Sequence, residues 1–118
     1  MVQLEQLAGA ALSGDALVLR SLAQDWLREN PTIRDVAAPV SIDEDVIATA
    51  AGLVELFALR SQPPPPPLTA NVGSARQPIF LVKAARTMHR LREMCVAESP
   101  LPLRRRGLYA PANFLSFA

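Results

Sequence analysis

The sequence predicts an all-α fold, a small bundle of about four helices joined by proline-rich connectors and closed by an ordered C-terminal tail. Three observations carry that expectation. Half of the 118 residues are hydrophobic and 19% are charged, the balance of a chain that buries a core. Only six residues are aromatic, so the core draws on Leu, Val, Ile, Ala and Met, and the Leu- and Ala-rich composition favours helix over strand. Apolar residues recur at helical spacing, and no alternating stretch is long enough for a sheet. At this length the chain reads as one domain, 1–118.

"VQLEQLAGAAL" (2–12) predicts a short first helix, weakened by Gly9. Ser13 or Asp15 in the following "SGD" offers a fresh N-cap. Residues 16–30 predict the clearest amphipathic helix, with Leu19, Leu22, Ala23, Trp26 and Leu27 on one stripe and Asn30-Pro31 ending it. Residues 31–40 read as a connector. "SIDE" (41–44) fits a capping box, Ser41 capping and Glu44 reaching back, at the start of a helix over about 42–60. The acids 43–45 suit that helix start better than they suit a metal.

The helix 42–60 is apolar nearly all round. Val46, Ile47, Ala50, Leu53, Val54 and Phe57 cover one face, while Leu56 and Leu59 point another way. Such a helix needs cover on more than one side, so it is either the central helix or part of an interface. The segment 61–77, with five consecutive prolines, predicts an extended spacer; a polyproline ligand is the sharper alternative. Residues 78–99 predict a further helix opened by Pro78, with Leu81, Ala84, Ala85, Met88, Leu91 and Cys95 buried and Lys83, Arg86 and Arg90 together on the opposite face. The tail 100–118 then carries Arg104, Arg105 and Arg106, followed by Tyr109, Phe114 and Phe117. Three of the six aromatics in the last ten residues argue that this tail packs on something, its own core or a second protein.

Catalytic chemistry finds little support. His89 and Cys95 lie about 120° apart on a helix wheel, no carboxylate pair stands out, and the five glycines form no phosphate cradle. One Cys and one His cannot build a standard zinc site, so neither metal nor cofactor is expected, and the chain reads as non-enzymatic. No signal peptide is visible and the longest apolar run falls short of a membrane span, which predicts a cytoplasmic protein with no membrane partner; no small-molecule substrate is inferred from the residues.

The net charge of +1 conceals a separation. Residues 1–60 hold four arginines against nine acids, a net of −5, and residues 76–118 hold eight cations against two acids, a net of +6. Such asymmetry points to an anionic partner or to attraction between the two halves of one domain. Arginine beside Tyr and Phe is interface chemistry, which makes Arg104, Arg105, Arg106, Tyr109 and Phe114, with Leu56 and Leu59, the expected anchors for a protein partner. Two alternatives stand beside this reading: nucleic-acid binding through Lys83, Arg86, Arg90 and the arginine tail, and a homo-oligomer built on the helix 42–60.

"LRSLAQDWLREN", "AAGLVELFALR" and "FLVKAARTMHRLREMC…ESPLPLRRRGLYAPANFLSFA" resemble a family of small bacterial proteins, along nearly the whole chain and most distinctively over 80–118. That resemblance implies the antitoxin-like partner of a two-protein pair whose other member has a nucleotidyltransferase-like fold. It implies no particular functional residues.

Overall fold

A computed structural model describes residues 2–31, 39, 41, 43–61, 69 and 72–115. The proline run, most of the connector 31–40 and Phe117 lie outside the described residues. The fold is a small all-α bundle. Helices α1 (Leu4–Ser13), α2 (Ala16–Glu29) and α3 (Glu44–Ser61) are followed by a two-residue strand β1 (Ile79–Phe80), a 3₁₀ turn (Lys83–Arg86), α4 (His89–Glu98), the single-turn α5 (Leu101–Arg104) and a second strand β2 (Leu108–Tyr109).

Local chemistry explains where the first two helices begin and end. The Gln6 side chain accepts the Gln3 amide at 2.6 Å, satisfying one orphan donor at the start of α1. Gly14 closes α1 in the left-handed conformation (φ 79°), its amide bonded to the Ala11 carbonyl. Asp15 then caps α2, its carboxylate accepting the Val18 amide at 3.2 Å. Ser13, the other candidate cap, instead donates back to the Ala10 carbonyl.

Gly14 has a second role. A Cβ there would stand 2.9 Å from the Lys83 Cβ and 3.0 Å from its backbone, so the α1–α2 turn lies directly against the 3₁₀ turn. Gly107 shares the left-handed conformation (φ 75°) but faces open space. Gly14→Ala therefore carries both the backbone penalty and a clash, whereas Gly107→Ala carries only the roughly 1–2 kcal/mol of the backbone penalty. Urea unfolding should rank Gly14→Ala as clearly the more damaging; equal losses would remove the packing argument.

The helix α3 is the central one. Residues 48 to 58 are buried without interruption, with α1 against one side and α5 against another. This settles one of the alternatives left by its apolar wheel. Leu56, expected on an interface, is only 1% exposed on a helix packed against both α1 and α5, and it is corrected to core. Its start also differs from the expected capping box. The Ser41 hydroxyl accepts the Asp43 amide and the Asp43 carboxylate accepts the Asp45 amide, so the helix begins two residues later than predicted. Trp26 of α2 stacks at a tilt on Phe57 of α3, centroids 5.8 Å apart, at the centre of the core.

The expected helix 78–99 is the main correction. Its first half is not α-helical: the Ile79 amide donates to the Gly107 carbonyl and the Leu81 amide to the Tyr109 carbonyl, pairing β1 with β2 in parallel. The tail competes for the amides of 79–81, a contact that no local propensity encodes. Met88 and Ala84 are consequently exposed, while Leu81, Ala85 and Cys95 are buried as expected. Both margins of the miniature sheet meet side chains. The Ser99 hydroxyl donates to the Leu108 carbonyl and accepts the Ala110 amide, and Arg86 donates to the Phe80 carbonyl.

Candidate functional site

The arginine run begins with the last residue of α5, and each of its three members has a different environment. Arg106 is the innermost, 5% exposed. Its Nε donates to Glu55 Oε1 at 2.7 Å, and its other nitrogens donate to the carbonyls of Thr69, Val72 and Gly73. Arg105 is paired with the other oxygen of Glu55 while remaining 55% exposed along its side chain. Arg104 is exposed and, among the described residues, makes no ion pair. Glu55, the one carboxylate in the apolar middle of α3, is thus clamped by two arginines, which satisfies a charge that would be costly to bury alone.

This arrangement resolves much of the charge separation within the molecule. Arg76 pairs with Asp45 at 3.4 Å and with Asp43 at 3.8 Å across the head of α3. Its backbone amide also donates to Asp45, and that bond, reinforced by the guanidinium, holds the Asp45 carboxyl below the usual carboxylate range. Glu55, Asp43 and Asp45 of the acidic half therefore meet Arg76, Arg105 and Arg106 of the basic half.

The cations expected to read phosphates are not gathered on one helix face. Lys83 and Arg86 belong to the 3₁₀ turn and Arg90 to α4. Arg86 donates to the carbonyls of Leu12 (2.7 Å) and Phe80 (3.2 Å), tying the end of α1 to β1. Arg92 donates to the carbonyls of Ala85 and Arg86, which caps the 3₁₀ turn, and its guanidinium lies 5.5 Å from the Phe80 ring centre. Lys83 lines a shallow groove with Asp15 and Leu17, and Arg90 is exposed.

The tail packs on its own domain. Tyr109 lies beside Phe80 with ring centres 5.6 Å apart, and it is half-buried rather than free to stack on a base. Phe114 is 7% exposed in the main core, so it is an anchor to this chain's own interior. Arg60, at the end of α3, donates to the carbonyls of Phe114 and Ala112 and so holds the tail in place. Sequence reading missed Arg60; its only signal was a cation closing an otherwise apolar helix.

Of the expected anchors, Leu59, Arg104 and Arg105 remain accessible and Tyr109 partly so. Leu56, Arg106 and Phe114 face inward. Other large apolar side chains reach solvent unexpectedly: Leu17 at 82% exposure, Leu101, and Met88, Met94 and Val96 around α4. The helix α4 turns only Cys95 fully inward, leaving apolar flanks on both sides of that line, and burial pushes the Cys95 thiol upward in pKa.

Among the described residues no group of three or more His, Cys, Asp or Glu side chains is placed to hold a metal ion. None of their helices is long and apolar enough to cross a membrane. His89 pairs with Glu93 at 2.9 Å on the surface of α4. Comparison of the chain with protein-family models, with curated proteins and with solved structures found no match.

Proposed function

We propose that the chain is a non-enzymatic protein-interaction module, the antitoxin-like or accessory half of a bacterial two-protein system. One observation carries the reading: a bundle with a closed core leaves Leu17, Leu59, Leu101, Met88, Met94 and Val96 on its surface. Single exposed apolar residues are ordinary, but Met88, Met94 and Val96, on and beside a helix that turns only Cys95 fully inward, suit a surface awaiting cover. Leu59, Arg104 and Arg105 supply accessible contacts from the expected set, with Arg104 unpaired among the described residues.

Nucleic-acid binding is the weaker reading. Arg86 is engaged with backbone carbonyls, and Arg76, Arg105 and Arg106 are paired with acids. Capture of the tagged protein from its native lysate, with and without nuclease, tests the choice. A stoichiometric protein that survives nuclease and is lost with Met94→Asp or Leu101→Asp supports the interaction module. Recovery only without nuclease, or of no partner at all, overturns it.

A further inference from the structure

The end of α3 holds a cation in an unusual setting. Arg60 is half-buried, and among the described residues its guanidinium meets no carboxylate, only the carbonyls of Ala112 and Phe114. Burial lowers its pKa, and among the described residues no acid offsets the loss of solvent. Its bonds to the carbonyls already carry the guanidinium charge, but a carboxylate would add ion pairing, in a planar two-point geometry, that a neutral carbonyl cannot supply. Arg60 is thus underused by its present partners.

Those partners belong to a short strap. Residues 108–110 are held by the pairing with β1 and by Ser99, whereas 111–115 form a turn closed by the Phe114 amide on the Pro111 carbonyl. What seats this turn is the Phe114 ring and the two Arg60 bonds, with Leu115 packed at the edge of the core. Seating it places Leu115 in the left-handed region (φ 56°), a conformation unfavourable for a residue with a side chain. The strap is therefore weakly held in comparison with the strand that precedes it.

Resting on the interaction-module reading, we infer that this strap occupies a recognition site for a protein partner's chain end: a C-terminal aromatic residue whose ring takes the Phe114 seat and whose carboxylate takes the place of the Phe114 carbonyl on Arg60. The substitution supplies the missing anion, refills the apolar seat and dispenses with the left-handed residue. Capture of a terminal carboxylate by preset donors is an established recognition mode. The strap then acts as an internal competitor that raises the affinity a partner needs.

The probe is the tetrapeptide acetyl-Pro-Ala-Asn-Phe with a free carboxylate, which copies residues 111–114, compared with the same peptide as its C-terminal amide. Each is titrated into the ¹⁵N-labelled full chain while the amide resonances of 112–115 are followed. We expect the acid to release the strap and to bind at least ~10-fold more tightly than the amide, since only the acid adds ion pairing to the guanidinium. Arg60→Gln should erase that preference. Phe114→Ala, which empties the seat but keeps Arg60, should bind the acid more tightly than the unaltered chain does. Equal affinity of acid and amide, binding that leaves 112–115 unmoved, or no binding by either overturns the inference. The wild-type comparison decides the matter if either variant fails to fold. The outcome is separable from that of the lysate capture: a partner bound through the α4 edge with no peptide effect rejects this site alone, and an empty capture with strap release rejects the protein partner while the carboxylate-binding seat at Arg60 stands.

Discussion

Arg106→Ala is expected to destabilise the protein by about 3–5 kcal/mol, the cost of leaving a buried carboxylate without its principal partner. The same change at Arg104 should stay within about ±0.5 kcal/mol, as for a surface residue without a specific contact. Arg105→Ala falls between them, at roughly 1 kcal/mol or less, because a largely exposed ion pair is screened by water. Three adjacent arginines thus give three different answers, measurable by urea unfolding of each variant. Arg106 joins α3 through Glu55 to the chain at 69–73, so its loss loosens two connections at once. A double-mutant cycle with Glu55→Gln should show a coupling well above 1 kcal/mol, since groups in one buried network do not add independently. Equal, small effects at all three positions would mean that the run is merely solvated.

Trp26→Ala should be comparably damaging, about 3–5 kcal/mol, by removing a large buried ring and leaving a cavity against Phe57. The contrast is Leu17, on the same helix and 82% exposed, where Leu17→Ser should change stability within about ±0.5 kcal/mol. Both belong to one apolar stretch in sequence, yet only the stripe through Leu19, Ala23 and Trp26 faces inward. Thermal or chemical unfolding of the two variants separates the core from the surface directly. If Leu17→Ser proves as costly as Trp26→Ala, α2 packs on both faces and the exposed-surface argument for a partner loses one of its residues.

The sequence alone determined the elements whose causes are local. The 3.6-residue stripe of 16–30 set both the existence of α2 and its buried face, Asp15 set its start, and the apolar wheel of 46–58 demanded cover on several sides. The charge separation left attraction between the halves open beside an anionic partner, and the aromatics of the tail called for packing without saying whether on its own core or on a second protein. Tertiary structure decided the rest. Residues 78–88 have helical spacing, but pairing with 107–109 draws them into β1, and the 3₁₀ turn that follows lies against Gly14, where only a glycine leaves room for Lys83. The roles of Arg104, Arg105 and Arg106 are indistinguishable in sequence, since they differ in which meet Glu55, roughly fifty residues earlier, and in which is buried among the carbonyls of Thr69, Val72 and Gly73. Periodicity and capping act over a few residues and are written locally; the burial of a charge or of a tail depends on which distant backbone returns to cover it.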